Sequence, residues 1–310
     1  MKNQMRLDAK GWGMLLLLSV LWGGSFLFVE IGLEELPPIS IVAFRVTLAA
    51  FASLILLKVL KQPMPRDFSL WRAFLVMGLL NNIVPFLLIV WGQQYILGGV
   101  AAILNASTLV FTVLVAQLFT TDEKLSAGKV VGLSVAIYGV VMVVGLGAVS
   151  SFSLDNLGQL AILAAGLSYA VSSVYGRRFG KAGIAPLTVT TGQLMIAAIV
   201  LVPFAFWFDA DLLIRALSWR VMFALVGLAL VSTTLAYLLY FKLIATAGAT
   251  NATLVTVLVP VSAVILTWFI LNERLPVSAL EGMAVISFGL LILDGRFFAW
   301  LRCKLFSAAI

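Results

Sequence analysis

Asp122-Glu123-Lys124-Leu125, followed by Gly132 and Gly139, returns 150 residues later as Asn272-Glu273-Arg274-Leu275, followed by Gly282 and Gly289. The register persists upstream near the same value, with Trp71-Arg72 against Trp219-Arg220, Gly98 against Gly248 and Pro38 against Pro186. Self-similarity sustained at one offset marks a duplicated unit. Each copy of the segment lies between apolar runs of the length a helix needs to cross ~30 Å of hydrocarbon, about 20 residues. Working outward, runs bounded by charge, Pro or Gly fall at 12–33, 38–60, 70–91, 95–118, 128–149, 157–177, 186–208, 219–241, 248–271 and 277–298. The sequence therefore predicts an all-α polytopic membrane protein with ten transmembrane helices in two five-helix repeats, 1–149 and 150–298, and a cytoplasmic tail at 299–310. Five is odd, so the second repeat enters the membrane from the opposite side. Inverted repeats of this kind recur in secondary transporters, where two pseudo-symmetric halves can expose one central site to either side.

Composition supports the membrane reading. Of the 310 residues 63% are hydrophobic and only 11% charged, against roughly 25% charged in soluble domains. A water-facing exterior cannot be covered with so little charge, so much of the surface faces lipid. The net charge of +7 is scattered between apolar runs without basic stripes, which reads as topology and not as affinity for nucleic acid. With the N-terminus inside, sixteen of the twenty Lys and Arg fall on inner segments, and only Arg215, Arg220 and Arg274 fall outside. Basic loops stay cytoplasmic, so both termini are predicted cytoplasmic. The first run is too long for a signal-peptide core and reads as a retained helix.

Several chemistries are excluded. The chain has no histidine and one cysteine, Cys303, which leaves no disulfide framework, no His- or Cys-based metal site and no Ser-His triad. An intramembrane hydrolase or lipid transferase would need a nucleophile and base or a metal cluster, and the usual sets are absent. The expectation is a non-enzyme with no cofactor and no metal, whose partners are a small organic solute and membrane lipid, as a monomer or weak homo-oligomer.

A polar side chain at bilayer depth is costly unless it finds a partner or faces a water-filled cavity, so depth selects the candidates. Trp22, Asn81, Asn82, Asn105, Ser168, Tyr169, Ser172, Thr233 and Tyr237 lie near mid-span and are the expected solute-binding set. Ser107, Thr108, Ser232 and Thr234 share that depth, and helix 9 would add Asn251, Thr253 and Thr256 by symmetry with helix 4. The rings can stack on an organic solute while amides orient its polar groups. The competing role for each Ser and Thr is a bond to its own helix backbone, and for each Asn an interhelical bond. Helices 5 and 10, rich in Gly and Val, offer the cavity little. Gln93 and Gln94 read as a solvated turn beside the aromatic belt of Trp91 and Tyr95. Glu30 and Arg45 flank the Pro37-Pro38 turn at similar separation, so an ion pair is expected, acting as a hairpin staple or as a gate.

Trp22-Gly23-Gly24-Ser25-Phe26 in helix 1, Arg45 in helix 2 and the repeated pattern running from helix 4 to helix 5 together resemble the EamA-type transporters of the drug/metabolite transporter superfamily. The second copy, Ala249 through Pro260 to Glu273-Arg274-Leu275, matches that pattern better than the first, which has Val110 where Pro260 stands. Within the family the chain is similar to bacterial inner-membrane exporters of amino acids and related metabolites, including the YddG type. The resemblance implies export of small organic metabolites without ATP hydrolysis by the chain, from a bacterial-type inner membrane. Drugs, nucleosides or sugars as solutes, or a non-transport membrane subunit, are the alternatives.

Overall fold

The computed structural model describes residues 8–120, 127–145, 153–213 and 216–293, and its regular elements are all helices. Eight are long and apolar enough to cross a membrane: α1 (Ala9–Gly32), α2 (Pro38–Val59), α3 (Phe68–Gly92), α4 (Gly98–Phe119), α5 (Ala127–Val144), α6 (Leu154–Lys181), α7 (Pro186–Ala210) and α8 (Trp219–Ala247). Two shorter apolar helices follow, α9 (Val255–Leu271) and α10 (Val277–Leu293). Each expected run falls on one of these helices, but the last two are shorter than ten full-length crossings require. The ninth run is divided: a four-residue helix, Ala249–Ala252, precedes a break at Thr253-Leu254. The end of the tenth run, the Asp122-Glu123-Lys124-Leu125 turn and the 299–310 tail lie outside the described residues.

Local chemistry sets the helix ends. The first turn of a helix leaves N–H groups without intrahelical partners, and short polar side chains accept from them. Asp8 accepts from Gly11 N–H at 2.7 Å, Asp67 from Ser69 N–H at 2.9 Å and Ser153 from Asn156 N–H at 3.2 Å. Pro38 opens α2 at a position where no N–H is needed. At the end of α8, Gly248 takes φ +85°, which a residue without Cβ adopts at no steric cost.

The helices pair by a rule. α1 packs on α9 as α6 packs on α4; α3 on α6 as α8 on α1; α2 on α8 as α7 on α3; and α2 meets α7, as α5 meets α10. Exchanging each helix for the one five places along reproduces the same set of contacts. The α5–α10 crossing shows the sense of that exchange. A Cβ on Gly132 would sit 2.8 Å from Gly289 O, and one on Gly139 would sit 3.0 Å from Gly282 O. The lower-numbered glycine of α5 meets the higher-numbered glycine of α10, so the two helices run antiparallel, and the repeat relates them about an axis across their length. With lipid tails as apolar as the side chains, helix association rests on such close backbone approach. Gly139→Val would drive a side chain into Ile286 N at 2.7 Å. Overpacking of this kind costs about 1–3 kcal/mol or more, and the variant is expected to melt earlier and to lose monodispersity on size exclusion, with Gly13→Ala, which has open space, as the control.

Two helices widen at matching places. Leu79–Ile83 in α3 and Gly227–Leu235 in α8 are π-helical, and they begin 148 residues apart, the offset of the two Trp-Arg pairs. Such turns re-aim side chains and release carbonyls from the i→i+4 ladder. Inside a membrane those carbonyls need other donors. Ser168 Oγ donates to Leu80 O at 2.7 Å, Thr233 Oγ1 to Leu228 O at 2.8 Å and Thr234 Oγ1 to Ala229 O at 3.1 Å. α4 also breaks, at Ala106-Ser107, although it has no proline there.

A central polar cavity as the candidate functional site

The π turns and the two broken helices surround one cavity of about 580 Å³ at the junction of the halves, within the range that takes small organic molecules. Side chains from α1–α4 and α6–α9 line it, and none described from α5 or α10 does. Its rings include Trp22, Phe86, Tyr169, Tyr237, Tyr240 and Phe241. Trp22 and Tyr240 meet at 5.2 Å between centroids, and Tyr237 and Phe241 stack at 6.0 Å. Two apolar clusters flank the space, and Tyr169 packs against both.

Asn81 is the hub of the polar wall. Its Nδ2 donates to Gln193 Oε1 at 3.2 Å and to Tyr237 Oη at 3.4 Å, while its Oδ1 accepts from Ser172 Oγ at 3.0 Å. One amide on the π turn of α3 thus ties α6, α7 and α8 together. Other lining atoms have no protein partner: Asn105 Oδ1, Thr108 Oγ1, Ser232 Oγ and Gln93 Oε1 are buried and unbonded. A buried polar atom without a partner is costly, and these four belong to residues of the cavity wall.

The cavity reaches the α6–α7 turn, where Phe179, Gly180, Ile184 and Pro186 line it. Its opposite end is closed. Glu273, in the α9–α10 turn, accepts from Gly98 N–H at 3.0 Å and Gly99 N–H at 3.2 Å, capping α4 with a carboxylate. Gln93 Nε2 donates to Phe26 O at 3.0 Å and to Glu30 Oε2 at 3.2 Å. Further out, Arg220 pairs with Glu34 at 3.1 Å, Ser218 N–H donates to Glu35 at 2.9 Å, and Ser40 donates to Asp209 at 2.7 Å. Hydrogen bonds from Ser218, hydroxyl and backbone, hold the Glu35 carboxyl below its ordinary value. Their support is present at neutral pH and fades as pH falls through that lowered value.

Of the residues expected to bind solute, Trp22, Asn81, Asn105, Tyr169 and Tyr237 line the cavity, while Asn82, Ser168, Ser172 and Thr233 do not. Ser168 and Thr233 are taken up by π-turn carbonyls, and Ser172 holds Asn81. Asn82 faces away on the same turn, 0% exposed, with both amide atoms unbonded. Asn82→Leu removes those atoms without touching the cavity, so uptake by the variant in proteoliposomes is expected within about twofold of the parent, the effect of a substitution outside the binding groups.

The Glu30–Arg45 pair is absent. Helix phase, not depth, decides: Glu30 turns toward Gln93 and the start of α4, whereas Arg45 turns into the cavity, its Nε donating to Thr233 Oγ1 at 3.0 Å and its guanidinium lying 3.7 Å over the Phe86 ring. Gln93 is no solvated turn residue, being 3% exposed and part of the cavity wall. Asn251 bonds back to Ala247 O at 2.7 Å and does not line the space, while Thr253 and Thr256 do. Sequence reasoning missed Gln193 and Tyr240. The depth filter that selected Asn81 would have found Gln193 had it been applied to 186–208.

A membrane-buried cavity between two like halves is the architecture of a carrier. The EamA-like transporter family matches twice, at residues 9–145 and 156–293, and the chain belongs to that family. It is 22% identical over 275 residues to the uncharacterized transporter YoaV of Bacillus subtilis, covering 88% of this chain and 92% of that protein. It is 27% identical over 281 residues to the uncharacterized inner membrane transporter YedA of Escherichia coli K12, covering 90% and 89%. It is also similar to a probable amino-acid metabolite efflux pump of the same organism, at 24% over 288 residues, covering 89% and 92%. A solved crystal structure shares the fold with a TM-score of 0.64 at 17% identity, over 91% of this chain and 95% of that one.

Proposed function

We propose that the protein is a secondary transporter that exports small organic metabolites, amino acids or related compounds, by alternating access to the central cavity. The observation that carries this reading is one polar, aromatic-lined space between the repeats, open toward the α6–α7 turn and closed at the other end by contacts that join the two halves. The chain crosses the inner membrane ten times, with both termini cytoplasmic and the halves inverted. The antiparallel α5–α10 crossing supports the inversion, and the distribution of Lys and Arg supports the orientation. On that orientation Arg177, Arg178 and Lys181 put the α6–α7 turn in the cytoplasm, and the conformation is inward-open.

Counterflow in proteoliposomes tests the activity: vesicles containing the protein and loaded with unlabelled amino acids are expected to accumulate labelled amino acid transiently without ATP. No exchange with any amino acid or related metabolite would defeat the reading. Reporter fusions after Arg178 are expected to read cytoplasmic and those after Asp155 extracytoplasmic; the reverse would turn the assignment over.

A further inference from the structure

Arg45 is a buried cation without a buried anion. It is 8% exposed, and no Asp or Glu lines the cavity among the described residues. Its Nε is committed to Thr233 Oγ1, and that hydroxyl is itself committed as a donor to Leu228 O, so the lone pair that Arg45 uses is fixed in direction. One face of the guanidinium is covered by Phe86. The Nη groups have no protein hydrogen-bond partner among the described residues and face the cavity. A charge held at membrane depth by one neutral hydrogen bond and one ring is under-compensated. A planar fork of free N–H donors on a fixed side chain is matched by a carboxylate, which takes two of them in parallel.

The rest of the cavity describes the rest of the molecule. The Trp22–Tyr240 pair and the rings of Tyr169, Tyr237 and Phe241 offer flat apolar surface, and the Asn105 amide adds a polar group to the wall. Rings alone would also welcome an organic cation. Arg45 opposes one, with no lining carboxylate among the described residues to offset it.

We propose that Arg45 receives the carboxylate of the transported solute, so that the cavity takes small organic carboxylates, zwitterionic or anionic, with an apolar or aromatic body, and rejects organic cations of the same shape. This rests on the cavity being the transport site. Thr233 is a positioning residue that holds the fork.

Matched probes test it on the purified full chain: phenylalanine, 3-phenylpropionate and phenylethylamine share a ring and differ in carboxylate and amine. The panel is extended with aliphatic amino acids and dicarboxylates and read by calorimetry. At least one carboxylate is expected to bind and phenylethylamine not to. Arg45→Gln is expected to weaken carboxylate binding roughly 10- to 100-fold, the worth of hydrogen bonds to a charged group, with an unchanged elution profile. Arg45→Lys, which keeps charge and loses the fork, falls between, and Thr233→Val weakens the carboxylates alone. Equal binding of acid and amine, retained affinity in Arg45→Gln, or no carboxylate binding at millimolar concentration would each overturn the proposal. Counterflow separates the two readings. Arg45-dependent binding without exchange removes transport and leaves the site, whereas exchange of amines indifferent to Arg45 does the opposite.

Discussion

In Glu273→Gln the closed end of the cavity is expected to open to the side that carries Trp219 and Arg220. The Glu273 carboxylate accepts from two successive N–H groups, Gly98 and Gly99, at the start of α4. The helix dipole concentrates positive charge there, and no α4 residue supplies a side-chain cap. Hydrogen bonds to a charged acceptor contribute about 1.5–3 kcal/mol each. A glutamine has one acceptor oxygen, and its NH2 would face the second N–H donor to donor. Because the contact joins the α9–α10 turn to α4, its loss weakens the closed state more than an open state in which these parts have separated. A loss of about 1.4–3 kcal/mol moves a two-state balance ten- to hundredfold. The readout is a cysteine at Ser25, which lines the cavity, in a Cys303→Ser background. A membrane-impermeant maleimide added from the outer side should label it at least tenfold faster, a threshold set by that same free-energy loss, when Glu273 is Gln. Unchanged labelling with a lowered melting temperature would make Glu273 a helix cap and nothing more.

The helices were legible in the sequence because hydrocarbon thickness imposes a length that apolar runs must meet, and Pro and charge mark the ends. The duplicated glycines were legible for a similar reason: Gly132, Gly139, Gly282 and Gly289 recur at one spacing because each stands where two backbones touch. What depth could not supply was direction. Asn81 and Asn82 are neighbours at one depth, yet the π turn sends the first into the cavity wall and the second away from it. No hydropathy pattern marks a π turn. Neither helix break carries a proline, since α4 breaks at Ala106-Ser107 and Pro260 lies inside α9 beyond the break at Thr253-Leu254, and Ser168 and Thr233, chosen as solute contacts, are consumed by the carbonyls those widened turns release. Gln93 sits at a helix end, where composition reads as solvent, but the Glu273 cap folds the α9–α10 turn against the start of α4 and closes that end.

The same loss of direction decides how Glu30 and Arg45 respond to mutation. Were they an ion pair, removing Arg45 alone would strand a carboxylate and cost about 3–5 kcal/mol, and removing Glu30 as well would restore the fold. Their partners are instead separate: Gln93 and the start of α4 for Glu30, Thr233 and Phe86 for Arg45. Arg45→Met therefore deletes an under-compensated cation and strands nothing, since the Thr233 hydroxyl keeps its bond to Leu228 O. That variant is expected to fold with a melting temperature near the parent's. Glu30→Met with Arg45→Met should show no rescue, with the two effects adding to within about 0.5 kcal/mol, as they do for sites that share no partner. The cycle between Glu30 and Glu273 is expected to differ. Glu30 Oε2 lies 3.2 Å from the Cβ position of Gly98, and Glu273 Oε2 lies 3.4 Å from that of Gly99, so two carboxylates share one helix terminus. Each single loss relieves repulsion on the survivor, and only the double loss leaves the terminus bare. Glu30→Gln with Glu273→Gln should then be more damaging than the sum of the singles by about 0.5–3 kcal/mol, the range for groups in one network. Rescue of Arg45→Met by Glu30→Met would show that Glu30 faces Arg45 after all, and a Glu30–Glu273 coupling of zero would show that the two carboxylates do not share the terminus.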